Sequence, residues 1–152
     1  MVWLGVDLGD ARVGLALSDP ELTLAHPAGN VRVYGDSFQA LDEVIDVIED
    51  ESVEHVVVGL PLMLDGTEGK SAKKARRWAA NLATRIQRLI DDGECDIESV
   101  PEIDLLDERL TTVSAHRQLQ QAQLKTKKHR PFVDQQSAVV ILQTALDRRA
   151  QA

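Results

Sequence analysis

The chain predicts an α/β fold: a mixed sheet with helices on both faces. Three observations carry this. The N-terminal quarter holds three short apolar runs separated by turn residues, the pattern of a β-meander. Two later runs, HVVVGL and EIDLLDE, alternate with segments of helical periodicity. The first of these is continuously apolar, as a strand buried on both faces should be.

VWLGVDL reads as the first strand. Gly9, Asp10 and Gly14 flank a turn, and VGLAL follows as the second strand. TLAHPAGNVRV is a third, with His26-Pro27 or Gly29-Asn30 disturbing it. Asp36-Ser37 can cap a helix in which Leu41, Val44, Ile45 and Ile48 share one face and Asp42, Glu43, Asp46 and Glu49 the other. HVVVGL is the fourth strand, and Gly59, Pro61, Asp65, Gly66 and Gly69 mark a loop after it.

A long helix is expected from about Ser71 to Ile90. Ala75, Trp78, Ala79, Leu82, Ile86 and Leu89 lie on one side of it. Lys70, Lys73, Lys74, Arg77, Arg85 and Arg88 occupy an adjoining arc of roughly 120°, with Arg76 outside it. EIDLLDE gives the fifth strand. Thr111 or Thr112 can cap a helix through Leu119. QLKTKKHRPF is a basic loop closed by Pro131, and the last helix is expected from about Asp134 to Arg149. The predicted order is βββ-α-β-α-β-α-α, which puts Asp7 near the sheet centre and Glu108 at the end of a neighbouring parallel strand.

The 152 residues are expected to form a single domain, 1–152, and 43% apolar content supports a real core. With 3% aromatic residues, that core must be mostly aliphatic. The start shows no signal-peptide pattern, and the longest apolar run is too short to span a bilayer. A lone cysteine, Cys95, offers neither an internal disulfide nor a zinc cluster. These features lead us to expect a soluble, cytoplasmic protein without a membrane partner.

A net charge of −8 argues at first against nucleic acid, but its distribution argues otherwise. Seven Lys/Arg fall between Lys70 and Ile90, and six between Arg109 and Val133, with no acid in either window. A helix that is merely solvated usually mixes signs, because i,i+4 ion pairs add stability. The basic helix and the loop carrying Lys125, Lys127, Lys128 and Arg130 can therefore hold phosphates.

Three acids stand at or just past the ends of apolar runs: Asp7 in GVDLGDARVGLALSD, Glu108 in LLDERLTT and Asp134 in FVDQQSAVVILQTALD. Brought together, three carboxylates can hold hard divalent cations, Mg²⁺ or Mn²⁺, and ions so held can serve hydrolysis of a phosphodiester. Each acid also has a plainer reading. Asp7 could cap the Gly9-Asp10 turn, Glu108 could be a surface acid paired with Arg109, and Asp134 is a good N-cap for the last helix. Neither Ser18 nor Cys95 has a convincing His/Asp partner, so a nucleophilic triad is rejected.

GVDLGDARVGLALSDP, VVVGLPLMLDGTEG, DERLTTVSAHRQL and VDQQSAVVILQTALD occur in order along nearly the whole chain. With these motifs the chain resembles the YqgF family, also called RuvX-like Holliday junction resolvases, in the ribonuclease H-like superfamily. DERLTT together with GLP-x4-GT-x-G is highly specific. The resemblance implies a five-stranded sheet, three strands antiparallel and two parallel, flanked by helices. It implies divalent-metal nuclease activity and a role in maturing the 5′ end of 16S ribosomal RNA. It makes Asp7, Glu108 and Asp134 the metal-binding, catalytic carboxylates, with Arg109, Thr111 and Lys128 as auxiliary phosphate contacts. The chain departs from the family pattern at Asp10, at Met63 and at Ser137-Ala138.

The expected activity is thus hydrolysis of RNA phosphodiesters by a monomer or homodimer. Branched or single-stranded DNA is the other substrate class expected; a Holliday junction resolvase, the alternative, would act on branched DNA and needs two active sites, hence a dimer. A non-catalytic RNA-binding protein and an actin-like phosphotransferase are the rivals from other classes. Retention of all three acids opposes the first, and the chain's length leaves no room for the second domain of the other.

Overall fold

The computed structural model describes residues 1–34, 36–111 and 130–152, with 130–135 described by their backbone alone. Five strands form one sheet in the order β3-β2-β1-β4-β5. They are β1 (Val2–Leu8), β2 (Arg12–Ser18), β3 (Ala25–Arg32), β4 (Val53–Leu60) and β5 (Glu102–Asp107). The first three are antiparallel neighbours, and β4 and β5 run parallel to β1. This is the mixed sheet expected, with β1 at its centre.

Between β3 and β4 lie a 3-10 turn, Ser37–Ala40, and helix α1, Leu41–Asp50. As expected, Asp36 caps this entry: its carboxylate accepts from Phe38 N at 3.0 Å. Helix α2, Lys70–Asp91, returns the chain from β4 to β5. The last helix, α3, spans Arg130–Gln151. The helix expected from Thr111 or Thr112 through Leu119 falls, after Thr111, outside the described residues, as does the basic loop up to residue 129; its last three residues, Arg130, Pro131 and Phe132, are not loop but open α3.

Two apolar layers sandwich the sheet. On one face α1 and α2 pack on Leu4, Val6, Val13, Val56 and Val58. Trp78 of α2 is fully buried there, and its indole N–H donates to Ser37 O at 3.0 Å, tying helix to turn. On the other face α3 sets Ala138, Ile141, Leu142 and Leu146 against Ala16, Val57 and Leu106. Gly5 permits this approach. A Cβ there would stand 2.7 Å from Leu142 Cβ and 2.9 Å from the Ala138 carbonyl.

Gly59, read both as part of the fourth strand and as a marker of the loop after it, belongs to β4. Two expectations need correction. β5 is an edge strand separated from β1 by β4, so Glu108 does not follow a direct neighbour of β1. Helix α3 begins at Arg130, so Asp134 lies in its second turn and is not its N-cap. Pro131 fits a first helical turn, where an amide N–H has no helical partner, so it does not hold off the helix start.

Candidate active site

Strand alternation decides where each acid can point. Trp3, Gly5 and Asp7 face α3, whereas Leu4 and Val6 face α1 and α2. Asp7 therefore enters the α3 layer at the carboxyl end of the central strand, 1% exposed. Its partner across the ladder is Gly14, which sets no side chain against it. The plainer reading, a cap on the Gly9-Asp10 bend, does not fit this burial, and that turn closes by its own backbone bond from Gly9 N to Arg12 O at 2.9 Å.

Glu108 opens the 3-10 turn Glu108–Leu110 that follows β5. The turn aims its side chain back across β4. Its Oε1 lies 3.0 Å from the point where a Cβ on Gly59 would stand, and Ile141 Cδ1 lies 2.7 Å from that point. The register Val6↔Val58 puts Asp7 on the next rung, beside Gly59. Asp7 and Glu108 thus flank one glycine backbone on one face of the sheet. Glu108 is 2% exposed, and burial, followed by the charge of Asp107, pushes its carboxyl up to about 7.

The two adjacent acids have separate fates. Asp107 takes the surface pair with Arg109 that the plainer reading gave to Glu108. It accepts from Arg109 N at 2.9 Å, Nε at 3.1 Å and Nη2 at 2.8 Å, and this pairing holds its carboxyl below the usual range. Arg109 Nη1 also reaches the Leu64 carbonyl at 3.5 Å and lies 3.1 Å from where a Cβ on Gly66 would be. Gly66 has φ +88°, which favours glycine in any case. Arg109 therefore braces the loop 61–69 against the turn that carries Glu108. Thr111 closes that turn, its hydroxyl donating to the Glu108 carbonyl at 2.8 Å.

The third acid is placed by backbone. Gln143 of α3 accepts from Ala25 N at 2.9 Å and donates to Thr23 O at 3.0 Å, near the amino end of β1. The helix thus runs from the carboxyl end of β1 toward its amino end. Residue 134 precedes Ala138 by about 6 Å of helix rise, and Asp7 lies about 6.6 Å beyond Gly5 along its strand. The backbone at 134 is therefore roughly level with Asp7; the Asp134 side chain lies outside the described residues.

Oxygen-only donors suit Mg²⁺ or Mn²⁺ better than metals that favour thiolate or imidazole. The buried pair Asp7 and Glu108 fits such an ion. Among the described residues no group of three or more His, Cys, Asp or Glu is close enough to hold a metal. A third protein ligand would have to come from the undescribed side chains.

The basic residues divide. Lys70, Lys73, Lys74 and Arg77 lie at the start of α2, just past the loop that leaves the carboxyl end of β4. Arg85 lies about 12 Å beyond Arg77 along the helix axis, and its guanidinium bonds Asp42 of α1 at 3.1 Å. Arg76 pairs with Glu68 at 2.7 Å. Helix α2 packs on the face of the sheet opposite the two carboxylates. Lys125, Lys127 and Lys128 lie outside the described residues, as does the side chain of Arg130. Sequence reasoning missed the glycines that admit close neighbours here, Gly5 the backbone of α3 and Gly59 the Glu108 carboxylate. The available signal was Gly5 and Gly59 interrupting apolar runs, which marks close approach inside a strand.

A family model described as RuvX, Holliday junction resolvase, matches residues 1–148. A Bifidobacterium adolescentis protein provisionally named pre-16S rRNA nuclease is 72% identical over 148 residues, covering 97% of this chain and 98% of that one. A Nocardioides protein of the same provisional name is 43% identical over 148 residues, covering 96% and 87%. Among solved structures, Thermus thermophilus RuvC in complex with a Holliday junction substrate aligns with a TM-score of 0.57 at 17% identity, covering 100% of this chain and 97% of that one. That likeness shows the fold, which is ribonuclease H-like. By the match along 148 residues and the identity to these relatives, the chain belongs to the RuvX family.

Proposed function

We propose that this chain is a metal-dependent nuclease that hydrolyses phosphodiester bonds in the 5′ leader of precursor 16S ribosomal RNA. The observation that carries the reading is two buried acids at the carboxyl end of the sheet, Asp7 on the rung beside Gly59 and Glu108 against Gly59 itself. The provisional names of the relatives supply the substrate class. Asp7, Glu108 and Asp134 would hold Mg²⁺ or Mn²⁺. When bound, the cation supplies positive charge where negative charge develops on the phosphate.

The chain's own residues do the rest. Lys70, Lys73, Lys74 and Arg77 neutralise substrate phosphates. Arg109 positions the loop 61–69 and the Glu108 turn as one unit, since its guanidinium is already occupied by Asp107 and Leu64 O. Gly59, lacking a side chain, leaves room for the Glu108 carboxylate and for Ile141. The nucleic-acid substrate puts the proposed site of action in the cytoplasm; among the described residues no helix is long and apolar enough to cross a membrane.

Two measurements test this together. The 5′ ends of 16S RNA in a strain lacking the protein should carry unprocessed leader. Purified protein should cut leader RNA in Mg²⁺ or Mn²⁺, and Asp7→Asn should bind RNA without cutting it. Mature 5′ ends in the deletion strain would overturn the substrate; full activity of Asp7→Asn would overturn the mechanism. The family description favours a second reading, a dimeric resolvase of four-way DNA junctions. Paired nicks in a synthetic junction, with leader RNA left intact, would select it.

A further inference from the structure

A second charged surface lies beside the carboxylates, on the β3 side. Arg12 begins β2 and pairs directly with Arg32 at the end of β3. Cross-strand neighbours of like charge destabilise a sheet, and a solvated sheet surface favours opposite signs there. Among the described residues no carboxylate forms an ion pair with either arginine. In a chain of net charge −8, two cross-strand arginines with no carboxylate paired to either call for a cause.

Strand parity supplies the position. Asp7 pairs with Gly14, and Gly14 with Asn30. Arg12 and Arg32 lie two residues further toward the site end on their strands, so they share the face of Asp7. The Arg12 Cα lies roughly 9 Å from that of Asp7, from standard strand spacing and rise. Val33 turns into the opposite core layer, and the next residue, Tyr34, returns to the arginines' side. Tyr34 is the chain's single tyrosine and is 80% exposed. The Arg32 guanidinium carbon stands 5.9 Å from its ring centre, and Gln39 Oε1 accepts from its backbone N at 3.2 Å. An exposed aromatic ring beside guanidinium groups is the arrangement that holds single-stranded nucleic acid.

We propose that Arg12, Arg32 and Tyr34 form a second substrate-binding patch: the arginines hold phosphates of a single strand as it leaves the carboxylates across β2 and β3, and Tyr34 stacks on an unpaired base. The patch is separate from the basic start of α2, which lies beyond β4 on the other sheet face. A strand held at both places would cross the carboxylates. The inference rests on the nucleic-acid substrate proposed above and adds where, and in what form, the strand is gripped.

The test is binding of a 5′-fluorescein single-stranded RNA oligonucleotide, read by anisotropy in EDTA over a salt series, with a blunt duplex of the same sequence in parallel. Arg12→Gln with Arg32→Gln should reduce the magnitude of the log–log salt slope by about 1.4, two single-strand phosphates at about 0.7 each. Tyr34→Ala should weaken single-strand binding by about 5- to 150-fold, Tyr34→Phe should retain it, and the duplex should respond little to either. The arginine double variant should keep or raise the melting temperature, because it removes a like-charge pair; a structural role predicts a fall. If wild-type chain binds RNA while the variants match its slope and affinity, the patch is overturned and the nuclease reading stands. If wild-type chain neither binds nor cuts RNA, both are overturned.

Discussion

Glu108 is held where a carboxylate is expensive to ionise. Its carboxyl is raised from 4.5 to about 7, first by burial and then by Asp107. The folded state therefore keeps a proton that the unfolded chain releases near 4.5. Its contribution to stability is fully present below that value and is lost as pH rises through about 7. The loss is on the order of 3 kcal/mol, at about 1.4 kcal/mol for each unit of pKa difference. Urea melts in EDTA should show wild-type stability falling between pH 5 and 8. Glu108→Gln should be flatter across that window and more stable than wild type at pH 8; parallel pH profiles for the two would contradict this. Gly59 makes the complementary test. Gly59→Ala puts a methyl group against Ile141 Cδ1 and Glu108 Oε1, so it should lower stability by about 1–3 kcal/mol through overpacking. It should also slow cleavage more than that loss explains, seen as a reduced rate at temperatures where the variant is fully folded. Both residues were visible in the sequence, but their approach to one another was not. They are 49 positions apart, and the turn after β5 brings them together.

Among the elements, α2 shows how a helix face can be read correctly and its residues still differ in use. Its apolar stripe packs as the periodicity requires, with Ala75, Trp78, Leu82 and Ile86 buried. Its basic arc is a single feature in the sequence and two in the fold, because Arg85 meets Asp42 of α1, 43 positions away. Changing Lys73, Lys74 and Arg77 to Gln should flatten the salt dependence of RNA binding by about 0.7 to 0.9 for each phosphate no longer neutralised. Arg85→Gln should leave that slope unchanged. Equal effects from both ends would mean that the substrate follows the whole helix. Helix α3 differs in the other direction. Its apolar residues were legible, and its start was not, because Asp134 is as good a cap in sequence as any residue nearby. With the start at Arg130, Asp134→Asn no longer tests a cap. Its expected outcome is an unchanged melting temperature with most of the cleavage abolished.

For the whole molecule, ion binding should appear as stability. Mg²⁺ or Mn²⁺ at about 100 times its dissociation constant adds about 2.7 kcal/mol to a protein that binds it only when folded. For a domain of this size that is roughly 5–10 °C in melting temperature. Wild-type chain should show the shift in thermal melts, and Asp7→Asn should lose most of it. An equal shift in both proteins would place the ion away from Asp7.

By itself the sequence determined the order of the described elements and the face each buries, and it singled out the three candidate acids. Those properties follow from local periodicity and from motifs a few residues long, and both are written along the chain. The tertiary structure decided which groups share a space. It set Asp7 and Glu108 on either side of Gly59 with a strand between them, gave Arg109 to Asp107, gave Arg85 to Asp42, and stood Arg12 against Arg32 on the face of Asp7. The facings of Asp7 beside Gly59 and of Arg12 against Arg32 depend on strand register and on the parity of side chains across it, whereas Arg85 meets Asp42 through the packing of two helices and Arg109 meets Asp107 within one turn. A shift of one residue would reverse both of those facings without altering a letter of the motifs.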